Sequence, residues 1–181
     1  MHNNFLIAVF VFLISLSQYS CVSNNKSKRI IVASSGKIES LDPARASTLK
    51  SLQLLSSLGD TLYELNSEGE LIPELASGMP IFSKDKLKII INLKENVLFH
   101  DGTLFNSNAI KFSFDRFKRI GTMNYILGNK IKSIETPSEY KVIINLNKPS
   151  SSVNGLLTSI NLTPISPVSY THLTLPTKRI V

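Results

Sequence analysis

Leu87-Lys88-Ile89-Ile90-Ile91-Asn92-Leu93, running on through Lys94-Glu95-Asn96-Val97-Leu98-Phe99-His100-Asp101-Gly102-Thr103-Leu104-Phe105-Asn106-Ser107-Asn108-Ala109-Ile110-Lys111-Phe112-Ser113-Phe114-Asp115-Arg116, is the stretch that decides the fold. Its first seven residues alternate about a β-branched centre, which predicts a strand with Leu87, Ile89, Ile91 and Leu93 on one face. Val97 to His100 is a second short strand candidate, closed by Asp101-Gly102, where glycine supplies the positive φ of a tight turn. Asn106 or Ser107 then caps a helix in which Ile110, Phe114 and Phe117 share one face, while Lys111, Asp115 and Lys118 point elsewhere.

Toward the C-terminus, Ile131 to Thr136 and Tyr140 to Leu146 read as two strands joined by Pro137-Ser138-Glu139, the second alternating Tyr140, Val142, Ile144 and Leu146. Toward the N-terminus, Glu68-Gly69-Glu70 is a turn, and Pro73 bars the apolar segment Leu71 to Ala76 from a central strand position. Leu49, Leu52, Leu55 and Leu58, with Leu54 and Leu62 beside them, predict a helix over 47–65, with a break at Gly59 and the leucine stripe facing a core. Pro43 holds Asp42 extended within the turn Ser40-Leu41-Asp42-Pro43. Ile30-Ile31-Val32-Ala33 is a β-branched run expected to be a buried strand, ended by Ser34-Ser35-Gly36. Strands and helices are mixed without a strict βαβ rhythm or an internal repeat, so the fold class is α/β in the mixed α+β sense.

The 181 residues are 43% hydrophobic and 18% charged, enough apolar material for one packed domain. The net charge of +7 is scattered among opposite charges, as in Lys84-Asp85-Lys86, rather than massed, which argues against a nucleic-acid footprint. Residues 1–20 read as a signal peptide: the apolar run from Phe5 to Leu16 is about a dozen residues, too short to span a bilayer. Ser20 before Cys21 resembles the lipobox of bacterial lipoproteins, although Gln18 and Tyr19 depart from it, and this makes Cys21 a lipidation candidate. As the only cysteine, Cys21 also excludes a disulfide framework within the chain. Residues 21–29 are polar and unpatterned, a flexible tether, and the folded domain is expected over 30–167.

Leu93 to Arg116 resembles the signature region of the family 5 extracellular solute-binding proteins, which include oligopeptide-, dipeptide- and nickel-binding receptors. The family's usual form has a Leu-Arg-Lys-Gly-like opening, a Phe-His-Asp-Gly-Thr-Pro-Phe core and a helix ending near Ser-Phe-x-Arg. Here Asn96 stands for the glycine, Leu104 for the proline, and Ala109 for the acidic residue of a capping box. Four other pieces agree in order: Leu41-Asp42-Pro43 with the Leu-Asp-Pro turn, Leu62-Tyr63-Glu64 with a Leu-Tyr-Glu helix, Pro73-Glu74-Leu75-Ala76 with a Pro-x-Leu-Ala element, and Leu146 to Pro149 with Leu-x-x-Pro.

The resemblance implies a partial first lobe of a two-lobed, periplasmic-binding-protein-like fold. It implies an envelope receptor, not an enzyme, that closes on a peptide or similar small solute and hands it to an ABC permease and its ATPase, without cofactor or metal. Ser35, Gly36 and Tyr63 are the residues of this chain taken as bordering the ligand cleft. Family chains are several times longer. Val168 to Thr177 is similar to a translated transposon adapter from sequencing-library preparation, continued by Lys178 to Val181, so 168–181 is expected to be foreign and the native sequence to leave off near Pro167. Without Lys178 and Arg179 the net charge falls from +7 to +5.

His100 and Asp101 are the most tempting catalytic pair, but neighbours on a strand face opposite ways and no nucleophile accompanies them, so turn chemistry is the expectation. Glu64, Glu68, Glu70 and Glu74 read as exposed turn and helix residues rather than a metal site. No phosphate-binding glycine motif is present, which excludes the nucleotide-hydrolysing subunit. The rival functions are an exported sensing or chaperone-like binding protein of the same fold, and an exported hydrolase, for which the sequence offers no activated nucleophile.

Overall fold

The structure, a computed structural model, describes residues 35–173, so the expected signal peptide, Cys21, the tether and the strand at Ile30 to Ala33 lie outside it. A four-stranded antiparallel sheet forms the centre, in the order β3 (Ile81–Phe82), β4 (Lys88–Asn92), β6 (Lys141–Leu146), β5 (Ile131–Ser138). The predicted alternation sets the inner face: Ile89, Ile91, Val142 and Ile144 are fully buried, and Ile89 pairs with Ile144 and Ile91 with Val142 across the strands. Pro137 extends β5 rather than serving as the turn, which its edge position allows, and the register shifts between Glu135 and Ser138.

The longest helix packs on this sheet. After α1 (Leu49–Leu55), the 14-residue α2 (Ser107–Ile120) lies against β5 and β6 with Ile110, Phe114 and Phe117 buried to 0% exposure. Asn106 is its cap, accepting from the Asn108 and Ala109 amides, while Ser107 turns its hydroxyl to the Ser138 carbonyl. Short α3 (Asn124–Leu127), α4 (Val153–Leu157) and α5 (Pro167–Leu173) complete the order. Among the described residues no helix is long and apolar enough to cross a membrane.

Two further expectations fail. The helix over 47–65 stops at Leu55, and Tyr63–Leu65 is instead strand β1, paired antiparallel with β2 (Leu71–Pro73). Partners outside the segment outbid its leucine periodicity: the Glu74 amide donates to the Leu62 carbonyl, and the Thr61 amide to the Glu74 carboxylate at 2.7 Å. Of the leucine stripe, Leu55 and Leu62 are buried, but Leu49 is 69% and Leu58 48% exposed. Val97 to His100 is not a strand either. It is one arm of a tight loop with a single bridge, Leu98 to Leu104, closed by the Phe99 amide on the Thr103 carbonyl and by Gly102 at φ 80°.

The substitution of Asn96 for the family's glycine also finds its explanation. Asn96 has φ 60°, a left-handed conformation that asparagine tolerates better than most residues, so the turn survives the exchange.

Candidate ligand-binding face

The turn at Asp42 and Pro43 meets the outgoing segment Thr163 to Ser166 on one face of the unit, and both are pinned there by side chains from elsewhere. Asp42 first builds its own turn: its carbonyl accepts from the Arg45 and Ala46 amides and its Oδ1 from the Ala44 amide. Arg116, the residue of α2 that continues the stripe Ala109, Ser113, then reaches Asp42 with both terminal nitrogens, Nη1 to Oδ1 at 2.6 Å and Nη2 to Oδ2. The Arg116 side chain is 5% exposed, and hydrogen bonding to Asp42 pushes its pKa further up. Its other face lies 4.5 Å from the centroid of the Tyr170 ring. Asn161 supplies a second clamp, donating to the Pro43 carbonyl at 2.7 Å and the Ala46 carbonyl at 2.8 Å.

Between these segments lie two adjoining hollows. One, of about 440 Å³, is lined by Leu41, Asp42, Pro43, Arg116, Ile165 and Ser166 among others. The second, of about 220 Å³, shares Leu41, Pro43, Ile165 and Ser166 and adds Leu55, Leu58 and Phe99. Apolar walls with a few placed polar groups are the usual makeup of a surface that holds a small organic solute.

The residues singled out from the sequence do not gather here. Tyr63 is fully buried and donates its hydroxyl to the Gly78 carbonyl at 2.8 Å; burial pushes its pKa up to about 12, so its part in this structure is packing. Ser35 and Gly36 are exposed at the start of the described residues, with the Lys50 side chain against Gly36. Asp101 is exposed and held well below the usual carboxylate range by hydrogen bonds from Ser166, Ser169 and Thr103; nothing pairs it with His100 as acid and base. Glu74, raised chiefly by burial, takes both the amide and the hydroxyl of Thr61. No group of three or more metal-ligating side chains occurs among the described residues. The Asp42–Arg116 and Asn161 clamps escaped sequence reading; the one available signal was an arginine at helical spacing from Ala109 and Ser113, on the side of α2 that faces protein.

Comparison with known proteins settles the family. A family model for bacterial extracellular solute-binding proteins, family 5 middle, matches residues 70–179. The chain belongs to the family 5 solute-binding proteins. It is 30% identical over 144 residues to the glutathione-binding protein GsiB of Escherichia coli O1:K1, covering 78% of this chain and 28% of that protein. Among solved structures, Listeria monocytogenes OppA bound to peptide superposes with a TM-score of 0.72 at 22% identity, over 77% of this chain and 31% of that one. AgaA of A. tumefaciens in complex with agropinic acid gives 0.70 at 23% identity, over 78% and 29%. This family 5 chain therefore spans less than a third of the length of these relatives, and it shares the mixed α/β fold of a part of two-lobed binding proteins. The family is one of extracellular binding proteins rather than enzymes.

Proposed function

We propose that this chain is part of an extracytoplasmic receptor that binds a peptide or similarly small polar solute and delivers it to an ABC permease and its ATPase. The family match over residues 70–179 carries the reading. Relatives named for glutathione, a tripeptide, and for peptide support a peptide-like ligand, and AgaA with agropinic acid extends the class to other small organic acids. Such a receptor closes two lobes over the solute, excludes water and replaces the solute's hydrogen bonds with its own. The walls that Leu41, Pro43, Arg116 and Ile165 give these hollows form this chain's share of the cleft, with Ser35 and Gly36 on the approaching segment.

Residues 1–20 act as the export signal and Cys21 as the lipid-bearing residue that tethers the receptor to the envelope, with residues 168–181 adapter-encoded. Labelling cells with a radioactive fatty acid tests the anchor: the parent chain takes up label and a Cys21→Ser variant does not. Label in neither removes the anchor.

The decisive experiment is long-read sequencing of the source DNA across the codon for Pro167, followed by calorimetry of the uninterrupted protein with glutathione, peptides of two to five residues, and opines. A reading frame that continues into a second lobe, with saturable binding of one of these ligands, is the expected result. A frame that encodes Val168 to Val181 and then stops, or a full-length protein that binds none of the three classes, overturns the proposal.

A further inference from the structure

The loop Phe99-His100-Asp101-Gly102-Thr103 is the most distinctive motif of the chain, and the receptor reading leaves it without a task. Its root is anchored: Phe105 is 1% exposed, its amide donates to the Val97 carbonyl, and its ring meets Phe99 edge-on at 6.0 Å. Its tip is preorganised, because Asp101 Oδ1 accepts both the Thr103 amide at 2.9 Å and the Thr103 hydroxyl at 2.6 Å. That arrangement leaves Thr103 Oγ1 facing Ser166 and Asp101 Oδ2 facing Ser169.

We propose that this loop is a latch that holds the segment Thr163 to Pro167, and with it the start of α5, on the unit. The catch is Ser166. Its hydroxyl oxygen lies 3.1 Å from Thr103 Oγ1 and accepts the Ser169 amide at 3.2 Å, and its carbonyl accepts the Tyr170 amide at 3.2 Å. Ser166 is therefore the N-cap of α5 and Pro167 its first residue, the position proline favours. The Asp101 carboxylate sits at the positive end of that helix and receives the Ser169 hydroxyl. One residue earlier, the Ile165 amide donates to Ser113 Oγ at 3.0 Å, and Asn161 ties the same segment to the incoming turn. The Thr103–Ser166 contact, the Ile165–Ser113 bond and the Asn161 clamp lie within residues 42–166 and are independent of the origin of residues 168–181; the bonds to Ser169 and Tyr170 add to them.

The latch stands on geometry alone. Site-resolved hydrogen exchange on the 181-residue chain tests it. In the double variant Asp101→Ala, Thr103→Val, amides from Ile165 to Tyr170 are expected to exchange on the order of tenfold faster, while those of Ile89 and Val142 keep their rates. A Thr103→Ser variant is expected to retain the parent's protection. Unchanged rates at Ile165 to Tyr170 in the double variant, a parent chain already unprotected there, or equal acceleration in the central sheet each overturn the latch. Ligand does not enter this measurement, so its outcome is independent of the calorimetric screen.

Discussion

Arg116 grips both carboxylate oxygens of Asp42 across 74 residues of sequence, and by doing so fastens the first turn of the described unit to its longest helix. The pair is nearly dry on one side and partly wet on the other, with 5% of the arginine and 24% of the aspartate side chain exposed. Removing one partner of such a pair leaves a charge with its solvation already lost. Arg116→Met is expected to cost about 3 kcal/mol, at the low end for buried pairs because Asp42 retains some water. Urea denaturation of Arg116→Met, Asp42→Asn and the double variant checks it: the double variant should cost well under the sum, and strict additivity would show that the two groups are not coupled.

Leucines of one apparent stripe divide by burial. Leu62→Ala, at a position 2% exposed, is expected to cost about 2 to 5 kcal/mol, through lost transfer energy and an unfilled cavity. Leu49→Ala, at 69% exposure, is expected to stay within about 0.5 kcal/mol of the parent. Equal losses in thermal or urea melts would contradict the placement of residues 49 and 62.

Tyr63 is expected to make stability fall at alkaline pH. Its folded pKa is raised to about 12 by burial, above an ordinary value of 10.0, so the folded state binds the phenolic proton more tightly than the unfolded chain. Its contribution is fully present below pH 10 and is lost as pH rises through about 12. Melts between pH 9 and pH 11.5, a range set by those two values, should show a decline that is smaller in Tyr63→Phe. A variant with the same slope as the parent would assign the decline to other groups.

The left-handed turn at Asn96 predicts an order of side chains. Asn96→Gly is expected to be neutral or slightly stabilising, and Asn96→Val to cost about 1 to 2 kcal/mol, because a β-branched residue resists positive φ. Circular-dichroism melts of the two variants check the order, and a valine variant as stable as the glycine one would refute it.

Much of this fold is local enough to be written in the sequence. The alternation of Ile89 and Ile91 marks β4, Val142 and Ile144 mark β6, and Asn106 followed by Ile110, Phe114 and Phe117 marks α2, because pleat, helical period and capping each involve residues a few positions apart. The same locality misled at residues 61–65, where leucine spacing predicts helix but pairing with residues 71–76 decides for strand, and at Val97 to His100, where a β-like run bends into the latch loop.

The candidate face belongs wholly to the second kind of information. Asp42 meets Arg116, Asn161 meets Pro43 and Ala46, and Thr103 meets Ser166, at separations of 74, 118, 115 and 63 residues. No periodicity or spacing links such partners. The sequence determined the central strands, the capped helix α2 and the family they belong to; tertiary packing decided that residues 63–65 are strand, that Tyr63 is core, that Arg116 is a clamp and that the Phe99 to Thr103 loop faces Ser166. The physical reason is that buried charges and amides must find partners wherever the folded backbone brings them, and only the folded backbone says where that is.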